Sequence, residues 1–284
     1  MGSVARDKVK EFGTPDAYRQ NRLYNVFCEY GKEDLYYSLV YYGLGQEEDI
    51  DVPFGMRYRQ LLHRVIKYQQ RRMANICKFI RSRKAPGLWL DIGCGVGQFM
   101  NYIVQLNGNR AIGTEISFVT LKKASCLLKK LSNNRRYCLV NQDSLELPFK
   151  AGSFDYVLSA DVLEHVGYDN QEKILCEIHR VLRKNGQAIV HTPNLKRVII
   201  TRFVKRMYYL FKGINPLNIT HAFPKSHISI TTSSRLEKIS QSIGFDTEVY
   251  RQISCKGDAF FKLAFLGLDS LFSRSFILVL SKRD

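Results

Sequence analysis

Leu88-Trp-Leu-Asp-Ile-Gly-Cys-Gly-Val-Gly97 decides the fold. A short apolar run carries Asp91 near its end. Gly93, Gly95 and Gly97 follow at alternate positions, and a helical pattern opens behind them. Glycine permits positive φ and lets a ligand approach the backbone, so a strand, a glycine loop and a helix in this order form a nucleotide-type cradle. Glu115 lies at the end of the next strand-like run, where a carboxylate can accept hydrogen bonds from both ribose hydroxyls. The spacing is G-x-G-x-G. A dinucleotide loop of the G-x-G-x-x-G type needs glycine at position 98, which is Gln98. The ligand expected is therefore a nucleoside without a pyrophosphate.

Working outward, short apolar runs alternate with helical stretches. The strand-like runs are 88–92, 111–115, 137–141, 154–160 and 187–192, with helices expected near 97–107, 118–131 and 170–183. Such alternation predicts a mostly parallel sheet with helices on both faces. After Pro193-Asn194 an insertion of roughly 35 residues interrupts the pattern, giving an expected insertion over 194–230. A helix near 232–243, a strand at 245–252 and a last strand over 275–281 close the chain, the final pair as an antiparallel hairpin. Upstream, residues 57–84 read as one long helix. Leu62, Val65, Ile66, Met73, Ile76 and Ile80 recur at helical spacing, and Arg64, Arg71, Arg72, Lys78 and Arg81 are read as lying mostly off that stripe. Residues 1–84 are thus expected as a helical extension before a domain over 85–284.

Candidate chemistry gathers at the strand ends. Asp143 follows the third strand, where a carboxylate can accept from an exocyclic adenine amine; a turn cap is its plainer role. The fourth strand runs into Asp161, Glu164 and His165, at the sheet edge where open α/β folds bind ligands. If an acceptor hydroxyl must lose a proton, a base is needed. His165 is the first candidate, with Asp161 and with His191 at the end of strand five; His221 and His227 are further candidates. Each also has a structural reading as a packed or capping residue.

This ordered set resembles the class I S-adenosylmethionine-dependent methyltransferases, strongly over residues 85–195 and more weakly over 228–284. The phrases Asp143-Ser-Leu-Glu-Leu-Pro-Phe149, Ser153-Phe-Asp155 and Leu163-Glu-His-Val166 are similar to the branch that contains ubiquinone- and menaquinone-biosynthesis enzymes. The resemblance implies a Rossmann-like fold with a mostly parallel seven-stranded sheet, an N-terminal helical extension and a helical insertion after strand five. It implies S-adenosylmethionine as cofactor. Asp91, Gly93, Cys94, Gly95 and Gly97 would hold its methionine end and Glu115 its ribose. Ile116, Asp143 and Ser144 would contact the adenine, with Ala160 lining the same pocket. Some relatives carry metal ligands in the strand-four loop, but Asp161 stands where that pattern has Glu, and no metal is expected. The acceptor implied is small and hydrophobic or lipid-like, methylated at oxygen or carbon.

Charge widens the list of partners. The net charge is +17, and residues 52–90, 116–142 and 178–236 contain no acid. An anionic membrane surface or a nucleic acid is the partner such stretches suggest, beside a merely solubilising surface. Leu195–Lys212 reads as an amphipathic helix with Ile199, Ile200, Phe203, Val204, Met207, Leu210 and Phe211 within about 140° of its circumference. It suits either an anionic bilayer or a lid over the site. An RNA methyltransferase is the first alternative, although the strand-four loop lacks an Asn/Asp-Pro-Pro-aromatic motif. A catalytically inactive cofactor-binding scaffold is the second. Seven scattered cysteines without a C-x-x-C pair point to a reducing compartment. The first ten residues lack a signal-like apolar core, so the expected location is cytoplasmic, with peripheral attachment to membrane.

Overall fold

The computed structural model describes residues 72–131, 136–213, 227–252 and 269–283. The chain divides into two compact units. One, 1–70 with 220–224, lies outside the described residues, as do His221 and the expected helical stretch before Arg72. The other, 71–219 with 225–284, holds the described elements.

Helix α1 covers 72–81. Then come β1 (Leu88–Ile92), α2 (Gln98–Gln105), β2 (Arg110–Glu115), α3 (Phe118–Leu131), β3 (Tyr137–Asn141) and β4 (Phe154–Ala160). A 3-10 turn at Leu163–His165 leads to α4 (Tyr168–Val181) and β5 (Leu182–Pro193). Last are α5 (Leu195–Phe211), α6 (Ser233–Ile243), β6 (Phe245–Gln252), the short α7 (Asp269–Phe272) and β7 (Ser275–Lys282). Element types and most boundaries agree with the sequence pattern. Strand β5 is longer than expected. Its Arg183-Lys-Asn-Gly186 segment has the polar look of a turn, yet Leu182 pairs with Phe154 while Asn185 takes φ 61°.

The seven strands form one sheet in the order β3-β2-β1-β4-β5-β7-β6. The first five are parallel; β7 is antiparallel to both β5 and β6. Strand β1 therefore has β2 on one side and β4 on the other, and the strand order reverses across this pair. Both sheet faces are covered. Leu90, Ile92, Val157, Val190 and Leu278 pack with Ile174, Ile178 of α4 and Leu236 of α6. On the other face Trp89, Leu158, Ile189 and Ile277 pack with Ile76 and Ile80 of α1, Met100 and Ile103 of α2, and Leu121 and Leu128 of α3. Burial on both faces is why these strands read as unbroken apolar runs rather than alternating ones. The helix ends follow local chemistry. The Thr232 side chain accepts from the Arg235 N–H at the start of α6, and Gly244 ends that helix at φ 111°.

The tightest packing under the site is at Gly113 of β2. A Cβ there would lie 2.2 Å from Met100 Sδ and 2.9 Å from Cys94 Sγ, so α2 rests directly on the strand backbone. Gly113→Ala is expected to lower stability by about 1–3 kcal/mol through overpacking. The loss should shrink in a Met100→Ala background, because contacting positions are coupled. Chemical denaturation of the four variants of the cycle measures both effects.

Candidate active site

The glycine loop sits where β1 leaves the sheet. The Cys94 N–H donates to the Thr114 carbonyl of β2 (2.9 Å), and the Gly97 N–H donates back to Cys94 O (2.9 Å), closing a tight turn into α2. Gly93 has φ 64°, and a Cβ there would be 2.5 Å from Val162 Cγ2, so position 93 excludes any side chain. Gly95 has φ 54° and nothing within 4 Å of the corresponding point, so its backbone faces open space. Glu115, buried at the end of β2, accepts from the Gly95 N–H through Oε2 (3.1 Å) and from the Ser117 N–H through Oε1 (2.9 Å). One carboxylate thus ties the loop to the next strand. Asn141 of β3 donates to the carbonyls of Glu115 (2.7 Å) and Ile116 (2.9 Å), fixing the backbone that presents Ile116, whose side chain is exposed.

These residues fit the expected cofactor on three counts. The Asp91 carboxyl is 1% exposed, and its Oδ2 has no hydrogen-bond partner among the described residues. Burial and the Glu115 carboxylate push its pKa well above the usual range. A cationic amine such as the α-ammonium of S-adenosylmethionine would relieve both. The open face at Gly95 admits a ligand against the backbone, and Ile116 offers an apolar surface beside it. Cys94 is buried, and burial raises its thiol pKa, so its part is packing rather than nucleophilic chemistry. Ala160 is buried at the end of β4 and Ser144 half-buried beyond β3. Asp143 is exposed, and its Oδ1 accepts from the Leu145 N–H (3.0 Å), the turn cap of its plainer reading.

Beyond β4 the candidate acid–base residues separate into two groups. Asp161, at φ 59°, donates its N–H to the His191 carbonyl (3.0 Å) and holds His191 Nδ1 at 2.6 Å through Oδ1. Its Oδ2 forms an ion pair with Arg72 of α1, both side chains being less than a tenth exposed. Burial first, and then the Arg72 charge, push the His191 imidazole down to about 3, so the ring is neutral at physiological pH; the Gln252 side chain opposes the shift. His191 Nε2 is buried with no hydrogen bond of normal geometry.

The second group is Glu164, His165 and His227, whose donor atoms lie within 4.8 Å of one another. Thr192 Oγ1 donates to Glu164 Oε2 (3.0 Å), and the His165 and His227 rings meet edge to face at 4.8 Å. The returning chain is tied to the same turn. Ser229 N–H donates to Glu164 O (3.2 Å), and Gln171 Nε2 donates to Leu163 O (2.9 Å) and Ser229 O (2.7 Å). Donors of this type and spacing are able to gather round a divalent cation. Burial raises the Glu164 carboxyl to about 7, and burial with the neighbouring His165 lowers His227 to about 4.

The structure therefore joins Asp161 to His191, while the His165 ring meets His227. Two participants escape the sequence reading. Gln252 arrives from β6, which only the sheet order brings near. Arg72 was expected off the apolar stripe of its helix, but Arg72, Ile76 and Ile80 form one buried row at i, i+4 and i+8. That spacing was the available signal: a cation continuing an apolar row belongs to its face.

Residues 90–190 match the family described as methyltransferase domain. Over 119 residues the chain is 32% identical to norajmaline N-methyltransferase of Rauvolfia serpentina, covering 42% of this chain and 39% of that protein. Over 103 residues it is 32% identical to the chloroplastic tocopherol O-methyltransferase of Arabidopsis thaliana, covering 36% and 29%. The chain thus spans less than half the length of either relative. The crystal structure of a SAM-dependent methyltransferase from Archaeoglobus fulgidus superposes with a TM-score of 0.54 at 16% identity, covering 80% of this chain and all of that one. The likeness confirms the Rossmann-like, seven-stranded architecture.

The raised pKa of Glu164 has a stability consequence. Below its unfolded value of 4.5 the carboxyl is protonated in both states, and its contribution is fully present. As pH rises towards about 7 the unfolded chain ionises first, and stability is lost; above that the loss is complete. Glu164→Gln should remove this dependence. Urea denaturation at pH 5 and pH 7.5 is expected to show the variant gaining on the wild type by up to about 3 kcal/mol.

Proposed function

We propose, from the match of residues 90–190 to the methyltransferase domain family, that the protein transfers a methyl group from S-adenosylmethionine to a small, lipid-like acceptor. We propose that this domain extends over 85–284, with an insertion at 194–230; the expected extension before Arg72 lies outside the described residues. The observation that carries the reading is the glycine loop at the β1–β2–β4 edge, open at Gly95 and backed by the unpartnered Asp91 carboxyl oxygen. When bound, the cofactor supplies an electrophilic sulfonium methyl. Asp91 and the loop backbone hold its amino-acid end, Glu115 its ribose and Ile116 its adenine face, with Asp143 and Ser144 at the rim. What remains for the protein is alignment and exclusion of water.

For a hydroxyl acceptor, His191 is the base the geometry favours. It is neutral, its Nδ1 is oriented by Asp161, and its Nε2, buried with the Gln252 side chain acting on the same ring, is the nitrogen that would accept a proton. His165, first choice from sequence alone, lies edge-on to His227. The names of the two relatives, one acting on an alkaloid nitrogen and one on tocopherol, support a small apolar acceptor.

The insertion helix bears on where such an acceptor is met. Helix α5 starts at Asn194, directly after β5, and docks through Arg197 and Val198, with Arg197 donating to the Phe272 carbonyl (3.1 Å). Its apolar stripe points outward instead: Ile199, Phe203, Val204, Met207, Leu210 and Phe211 are all exposed. Arg202 and Arg206 are exposed on the same helix, and no acid occurs between 178 and 236. This charge balance and apolar face suit an anionic bilayer surface, from which a dissolved lipid-like acceptor would enter. No helix among the described residues is long and apolar enough to cross a membrane; the proposed attachment, peripheral and from the cytosolic side, rests on the exposed face of α5.

Two measurements follow. In titration calorimetry with S-adenosylhomocysteine, Glu115→Ala should cost ~1.5–3 kcal/mol of affinity; no binding by the wild type would remove the assignment. In flotation with anionic liposomes, the wild type should rise with the vesicles and release as salt increases. Phe203→Glu with Arg202→Glu and Arg206→Glu should stay in the soluble fraction while keeping cofactor affinity. A wild type that ignores anionic vesicles leaves α5 with another partner.

A further inference from the structure

Arg72 is the one charged side chain in the buried row of α1, and it crosses to the carboxyl edge of the sheet to meet Asp161. A guanidinium has donors only, so the Asp161 Oδ2 that faces it must accept. The carboxylate then accepts from His191 through its other oxygen, which requires the proton of the neutral ring to sit on Nδ1. The same chain of contacts restrains Asp161 at both oxygens in a left-handed backbone conformation, φ 59°, that a non-glycine residue adopts at a cost.

We propose that Arg72 is a positioning residue: acting through Asp161, it holds His191 in the Nδ1–H tautomer and directs the Nε2 lone pair away from Asp161. The role in catalysis rests on the reading of His191 as base; the tautomer itself does not. Among the described residues, Asp161 is the carboxylate that meets the His191 ring. Helix α1 contributes Arg72, and the turn after β4 contributes Asp161. Strand β6 contributes the uncharged Gln252, and β7 the apolar Ile277 opposite His191 in register. Glu164 is engaged by Thr192, the next residue along β5, whose side chain points to the opposite face. The Arg72 charge also disfavours a second proton on His191, after burial itself. Without that charge, Asp161 would be an unmatched carboxylate against the ring, and the imidazolium would be favoured.

The test uses the full chain with 15N-labelled histidine. Long-range 15N–1H correlation reads tautomer and titration, and the His191 signal is identified by its loss in His191→Gln. The wild type should show the Nδ1–H pattern at pH 7 and no titration of this ring down to pH 5. Arg72→Gln should raise its titration midpoint by at least ~1 unit, a tenfold gain in proton affinity, and Arg72→Lys should restore most of the wild-type behaviour. S-adenosylhomocysteine affinity should be unchanged in both variants, which separates this result from failure of the cofactor assignment. A wild-type ring in the Nε2–H form overturns the proposal whether or not any variant folds. So does an Arg72→Gln protein whose His191 keeps the wild-type tautomer and titration.

Discussion

A parallel strand cannot return to its neighbour without crossing the sheet, so every strand of a parallel array ends on the same edge. In this protein that constraint places the ends of β1, β2, β3, β4 and β5 in one row. Where the order reverses, between β1 and β4, the connections leave to opposite faces and a crevice opens between them. The glycine loop follows β1, Glu115 ends β2, and Asp161 and His191 stand at the ends of β4 and β5, on the same sheet edge.

The crevice is lined with carboxylates that the fold must accommodate without water. Three solutions appear. Glu115 is satisfied by backbone N–H donors from the loop it stabilises. Asp161 is matched by a cation brought from a separate helix. Asp91 keeps one oxygen unmatched, at a cost in stability that binding of a cationic ligand would recover. Glu115 and Asp161 hold geometry through their partners, whereas Asp91 Oδ2 has none among the described residues. Breaking a buried pair such as Arg72–Asp161 by removing one member is expected to cost ~3–5 kcal/mol, so α1 is bound into the site and not merely packed on the sheet.

Helix α5 presents the reverse problem. A helix that buries an arginine and a valine while exposing phenylalanines and leucine inverts the usual arrangement of a surface helix. The hydrophobic effect acts on such a face until something covers it. Its basic character and its attachment directly after β5 make a lipid surface a partner consistent with the acceptor class, since one docking event would bring both surface and substrate to the same edge.

How much of this was legible in the primary structure follows from the range of each interaction. Local signals determined the elements. The apolar runs of β1 and β4, the glycines at 93, 95 and 97, the break at Pro193-Asn194 and the helical stripe of α5 all act within a few residues, and each was readable. The placement of the glycine loop and of Glu115 beside it was readable for the same reason, because the loop and the acids at strand ends stand at fixed offsets along successive βα units. The acid–base side was not. His165 and Asp161 are four residues apart in sequence, yet Asp161 turns to His191, 30 residues on, and to Arg72, 89 residues back. The outward face of α5 was equally hidden, because periodicity defines an apolar stripe but not the side from which the sheet approaches it. Sequence by itself determined which segments form strands and helices and that the glycine loop and the acids stand at strand ends. Only tertiary structure decided which charges meet, because a buried ion pair is selected by the low-dielectric space that several distant segments enclose together.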